Sequence, residues 1–197
     1  MLKGKGMPTG FVVYYQGGLG KARAIDTLVE SMVHTSEDVS LVLVGNIRQN
    51  FLEWIISYAV AHRLENRVKY LGRFPYGEEL FALCAGADLG VMFVKGDCRN
   101  QIYNATATNK LFEYMMMAVP VLTSDFPGHR ALVEAGGFGV CVNSEEPRNI
   151  AEGIMKLRND PALQLALGRR GRTLAEEKYN WEQQEPVLLE KLGQLIH

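Results

Sequence analysis

Lys110 and Glu113 stand three residues apart at the head of an apolar-periodic stretch, residues 110–117, that runs straight into Val119-Pro120-Val121-Leu122-Thr123. On a helix that spacing puts both side chains on one face. A helix start carries unpaired N–H groups and partial positive charge, which suits a phosphate. Lysine adds charge there, and a carboxylate accepts hydrogen bonds from paired sugar hydroxyls. Together they are equipment for a nucleoside diphosphate with its ribose. An exposed intrahelical ion pair, worth a few tenths of a kcal/mol, is the plainer alternative. The long polar connection before the pair, residues 95–109, and the strand after it favour the ligand.

Other loops offer matching chemistry. Gly17-Gly18-Leu19-Gly20-Lys21 is a glycine-rich turn, but it is no P-loop, because Tyr15 stands at the first glycine position and Ala22 follows Lys21. Nor is it a dinucleotide fingerprint, because Arg23 fills the third small position. What remains is a backbone that can approach a ligand at Gly18, with Lys21 and Arg23 in reach of phosphate oxygens; a tight turn with solvated cations is the alternative. Gly72-Arg73-Phe74-Pro75-Tyr76 can hold a nucleobase, with Arg73, Phe74 and Asn46 as base-binding candidates; plain packing under a turn is the alternative. Thr108, Asn109, Asp125 and His129 stand in loops at the same end of the sheet; His129 can donate to a phosphate or sugar oxygen near neutral pH, and a structural or merely exposed histidine is the alternative. Met115-Met116-Met117 reads as helix core, and Arg169-Arg170-Gly171-Arg172 as a solvated helix face.

The elements that must position these residues alternate. Short apolar runs at 11–15, 41–44, 67–71, 89–94, 119–123 and 138–142 read as buried strands. Helical spacing covers 24–33, 51–61, 78–87, 110–117, 130–134, 150–157, 163–179 and 187–196. Strands apolar on both faces, alternating with helices, predict an α/β fold: a doubly wound, Rossmann-like parallel sheet of about six strands with helices on both faces. Ligands of such sheets lie at the carboxyl ends of the strands, where strand order reverses. That places the site among loops 16–23, 45–48, 72–76, 95–109 and 124–129.

Composition narrows the classes. The 197 residues are 47% hydrophobic, enough for one large domain or two small ones with a real core. A net charge of −1 leaves no basic field for nucleic acid. Cys84, Cys98 and Cys141 form no CxxC pair, so neither a zinc site nor a disulfide framework is expected, and a reducing compartment is. No run of 18 apolar residues is present, so no membrane span is expected. Residues 1–10 lack an apolar signal core and read as a linker, with the domain proper at 11–197.

Taken in order, these motifs resemble the carboxy-terminal, donor-binding half of GT-B glycosyltransferases, in the large retaining group that includes mannosyl- and glucosyltransferases of capsule and lipopolysaccharide assembly. The resemblance covers roughly residues 11–196. It is carried by Tyr15-Gln16-Gly17-Gly18-Leu19 with Arg23, Leu41 to Asn46, Val68 to Pro75, Ala87-Asp88-Leu89-Gly90-Val91, Asn109 to Tyr114, Pro120-Val121, Ser124-Asp125, and Tyr179-Asn180-Trp181-Glu182. It implies that Arg23 and Lys110 hold the diphosphate, Glu113 the ribose hydroxyls, and the backbone around Phe74 the base, with Thr108, Asn109, Asp125 and His129 on the donor-sugar side. It also implies a nucleotide-diphosphate sugar such as a UDP- or GDP-sugar as substrate, with no cofactor and no metal. The acceptor, a saccharide or a lipid-linked one, would be bound by an amino-terminal half that is missing here. A cloned domain or truncated gene product is therefore expected. The expected location is cytoplasmic, including the inner face of the membrane, with membrane association only through that missing half.

The chain departs from the family pattern in three places. Ala105 stands where a first glutamate often precedes Glu113 by eight residues, Met116-Met117-Ala118 replaces the usual small residues, and Ala24 stands where glycine is usual. A nucleotide-sugar epimerase or hydrolase of the same fold, and a non-catalytic nucleotide-sugar-binding module, remain alternatives. A dinucleotide-dependent dehydrogenase is disfavoured by the failed glycine fingerprint.

Overall fold

The computed structural model describes residues 7–96 and 108–196. Six strands form one parallel sheet: β1 Phe11–Gln16, β2 Val39–Val44, β3 Val68–Tyr70, β4 Leu89–Met92, β5 Val121–Ser124 and β6 Gly139–Val142. Their spatial order is β3-β2-β1-β4-β5-β6, the doubly wound order with its reversal between β1 and β4. Tyr14 of β1 lies beside Val42 of β2 on one side and Gly90 of β4 on the other.

The helices are α1 Ile25–Ser31, α2 Gln49–Ala61, α3 Glu78–Ala85, α4 Asn109–Met116, α5 Pro147–Asn159, α6 Pro161–Glu177 and α7 Trp181–Ile196. They cover both faces of the sheet, because side chains alternate across each strand. Val13 and Tyr15 pack with α1, α2 and α5, while Val12 and Tyr14 pack with α3, α4 and α6. Each fully buried Leu or Val in these layers contributes about 1.5–3 kcal/mol. β1 and β2 therefore had to be apolar on both faces, and that is what the sequence shows.

Differences from the sequence reading lie at element ends. β5 starts at Val121 rather than Val119, because Pro120 has no N–H for the ladder. Residues 130–134 form a π-turn, Arg130–Glu134, continuing the short helical turn Pro127–His129. α7 starts at Trp181 and runs through Pro186, six residues before the expected start. Trp181, Val187, Leu188, Leu189, Leu192 and Leu195 on it are all exposed. Among the described residues no helix is long and apolar enough to cross a membrane.

Candidate functional site

The carboxyl ends of β1, β2 and β3 are tied in a staircase. Gly17 N–H donates to Val44 O at 2.9 Å, Gly45 N–H to Gly72 O at 2.8 Å, and the Tyr70 hydroxyl to Gly45 O at 2.8 Å. The close approach demands glycine at 45. Its φ is +133°, and a Cβ there would sit 1.9 Å from Gly17 O. This staircase leaves an open cleft of about 490 Å³ above the β1–β4 reversal.

Nine of the sequence-predicted residues line that cleft: Gly18, Arg23, Asn46, Arg73, Phe74, Thr108, Asn109, Lys110 and Glu113. Arg23 ends a 3-10 turn, Lys21–Arg23, that leads into α1 through Ala24. Ala24 adopts the left-handed conformation at φ 48°. Asn109 opens α4, and no side chain caps that helix from Thr108. Its start is thus free to face an anion in the cleft. The Thr108 hydroxyl turns inward to Met92 Sδ, at 2.9 Å.

Lys110 and Glu113 do not pair as an exposed ion pair. The Lys110 ammonium sits 3.0 Å from the Tyr15 hydroxyl and 4.2 Å from the centre of its ring, beside Gly17. The Tyr15 hydroxyl in turn donates to Gly18 O at 2.8 Å, so one phenol holds both the glycine turn and the lysine. Burial, and then the charge of Arg23, bring the Lys110 ammonium down to about 7, against the opposing pull of Glu113. Burial pushes the Glu113 carboxyl above its ordinary range; hydrogen bonds from Gln16 and Tyr76 and the charge of Lys110 pull the other way. Glu113 Oε2 accepts from Gln16 Nε2. The site is thus short of anions: two cations held close together would gain from a diphosphate.

The structure does not bring Asp125 and His129 to this cleft. Asp125 forms a two-pronged ion pair with Arg130, which holds its carboxyl below the usual range. His129 is 1% exposed; its Nδ1 donates to Ser124 O at 3.1 Å, and burial lowers the imidazole below its ordinary value. Ala105 and Cys98 lie outside the described residues. Gln16 and Tyr76, which line the cleft, and the buried Tyr15 beside it were given no role of their own by the sequence reading, although loops 16–23 and 72–76 were placed at the site. A glutamine closing a buried apolar strand was a signal, since a buried amide must find partners. Among the described residues no cluster of His, Cys, Asp or Glu could hold a metal ion.

Sheet order defines a Rossmann-like domain of the kind found as one half of GT-B enzymes. The chain belongs to the family described as glycosyl transferases group 1, whose model matches residues 10–160. No curated protein matches the sequence at a significant level. Among solved structures, HepE of Anabaena in complex with UDP is similar at a TM-score of 0.80 and 21% identity, over 94% of this chain and 49% of HepE. Sucrose-phosphate synthase of Thermosynechococcus elongatus is similar at 0.78 and 22%, over 95% of this chain and 46% of the synthase. The C-terminal domain of the group 1 glycosyl transferase LpcC of Francisella tularensis is similar at 0.73 and 16%, over 90% of each chain. At these identities the likeness shows the fold. The chain spans about half the length of HepE and of the synthase.

Proposed function

We propose that residues 11–197 form the donor-binding domain of a glycosyltransferase that moves a sugar from a nucleotide-diphosphate donor to a saccharide or lipid-linked acceptor. The acceptor is assigned to a separate amino-terminal domain. The observation that carries this reading is the convergence of Arg23, Lys110 and Glu113 on one cleft at the β1–β4 reversal. In this reading Arg23, Lys110, Gly18 and the start of α4 hold the diphosphate. Glu113 accepts from the ribose hydroxyls, and Asn46, Arg73 and Phe74 surround the base. Thr108 and Asn109 stand on the donor-sugar side. Cations and a helix start then stabilise the departing diphosphate without a metal ion. The donor is met in the cytoplasm or at the inner membrane face.

The test is a titration of the chain with UDP, GDP and ADP and their common sugars, without metal and then with Mg²⁺, by calorimetry and chemical-shift mapping. Metal-free binding with shifts at Arg23, Phe74, Lys110 and Glu113 is expected. A double Arg23→Ala, Lys110→Ala variant with unchanged affinity for the preferred diphosphate overturns the assignment.

A further inference from the structure

Gln16 is the last residue of β1 and is 5% exposed. Both of its nitrogens reach α4. Its backbone N–H donates to the Tyr114 hydroxyl at 3.3 Å, and its side-chain Nε2 donates to Glu113 Oε2. The Tyr114 hydroxyl donates in turn to Val91 O at 3.3 Å. The Gln16 side-chain oxygen accepts from the buried Tyr14 hydroxyl at 2.9 Å. The rings of Tyr14 and Tyr114 meet edge to face at 6.2 Å, and Tyr114 lies over Gly90, where a Cβ would come within 2.6 Å of its ring. These contacts form one column of buried polar atoms between β1, β4 and α4, ending at the Glu113 carboxylate in the cleft.

The chemistry of the column fixes its direction. An ionised carboxylate only accepts, whereas a phenol both donates and accepts. An amide between the two can satisfy both in one orientation only, with NH₂ toward Glu113 and oxygen toward Tyr14. A flipped amide would aim its oxygen at the carboxylate. Gln16 therefore occupies one lone pair of Glu113 and, together with the Tyr76 hydroxyl that also hydrogen-bonds this carboxylate, orients it, leaving its other lone pairs for the ligand.

We propose that Gln16 is the positioning residue of the ribose site: by holding Glu113 in one plane, it makes the cleft select for a sugar with its vicinal hydroxyls intact. The inference rests on the reading of Glu113 as the ribose ligand. Its effect on selection passes through Glu113.

The experiment compares UDP with 2′,3′-dideoxy-UDP, or the guanine pair if GDP binds more tightly, in calorimetric titrations of the wild-type chain, Gln16→Met and Gln16→Glu. A hydrogen bond to a charged group contributes enough for about a tenfold effect. The wild type is expected to prefer the ribonucleotide by about tenfold or more, and Gln16→Met to lose most of that preference while its dideoxy affinity stays within about twofold. Gln16→Glu adds a pH signature. A protonated carboxyl at position 16 can donate to Glu113 as the amide does, but two carboxylates in contact repel. Its preference for the ribonucleotide should be present near pH 5.5 and lost by pH 8, with no such step in the wild type. Phosphate titration cancels in the ratio. Equal weakening of both ligands in Gln16→Met, or an undiminished preference, overturns the inference. If Gln16→Met does not fold, a pH-independent preference in Gln16→Glu overturns it instead. A wild type that binds both ligands equally overturns the ribose role of Glu113, and this inference with it. A wild type that binds neither overturns the donor-site reading as a whole.

Discussion

The perturbed lysine gives the proposed diphosphate site a measurable proton balance. In the free protein the Lys110 ammonium titrates at about 7, because it is buried and faces Arg23. A phosphate charge about 4 Å away, at an effective dielectric of about 20, attracts an ammonium by about 4 kcal/mol, or about three pKa units. Bound diphosphate should therefore return Lys110 to about 10. The sign follows. Below pH 7 the lysine is charged in both states and affinity is highest. Between pH 7 and 10 the bound state holds a proton that the free state lacks, so affinity falls, approaching tenfold per pH unit. At pH 8 about a tenth of free sites are charged, so binding should take up about 0.9 proton per site.

The assay is calorimetry at pH 6 to 9 in pairs of buffers with different ionisation enthalpies, using a nucleotide sugar, whose diphosphate diester does not titrate in this window. Lys110→Arg should bind with no fall over pH 7–9, since a guanidinium stays charged. Lys110→Met should bind more weakly and take up no proton. Arg23→Ala should shift the fall to higher pH, because Arg23 is one of the charges that lowers Lys110. Wild-type binding with no proton uptake at pH 8, or uptake that survives in Lys110→Met, refutes the reasoning.

Three further outcomes are expected. Gly45→Ala should cost about 3 kcal/mol in chemical denaturation and abolish nucleotide binding, because the methyl group collides with Gly17 O in the cleft floor. Ala24→Gly should be near neutral in the same assay, within about 0.5 kcal/mol: relief of about 1–2 kcal/mol at φ 48° is offset by a lost buried methyl and a freer unfolded chain. Ala24→Val, β-branched at a positive φ, should destabilise by more than about 2 kcal/mol. His129 is lowered by burial, so the unfolded chain takes its proton first as pH falls through about 6.5. Thermal midpoints should therefore drop from pH 6.5 downward, and a His129→Gln variant should lack that part of the drop.

Most of the fold was legible because buried parallel strands leave a strong trace. β1, β2 and β4 must satisfy two apolar faces at once, so their runs cannot be interrupted. Helix spacing between them then fixes the alternation, and all six expected strands are present. Boundaries were less legible where a backbone rule intervened. Pro120 withholds an N–H and delays β5. Pro186 reads as a helix breaker, yet α7 runs through it from Trp181.

The site divides along a different line. Arg23, Phe74, Lys110 and Glu113 meet at one cleft because the fold gathers the segments after the strands' carboxyl ends there. Asp125 and His129 satisfy the same rule, yet neither reaches the cleft. Sheet topology says at which end a loop lies, but not which way its side chains turn. Here Pro127 and the π-turn at Arg130–Glu134 roll His129 under Ser124, while Arg130 takes the Asp125 carboxylate. Gln16 is the converse case. Apolar spacing ends the first strand at residue 15 and puts Gln16 in the loop 16–23, yet Gln16 closes β1 as a buried residue, and its partner Glu113 is 97 residues away. Only the cost of an unpartnered buried amide, about 1–3 kcal/mol, says that such a partner must exist. A polar residue closing an otherwise buried strand at the ligand end of a sheet is therefore a better guide to a site than a histidine in the neighbouring loop: burial forces the first to bond to something, and nothing forces the second to face the ligand.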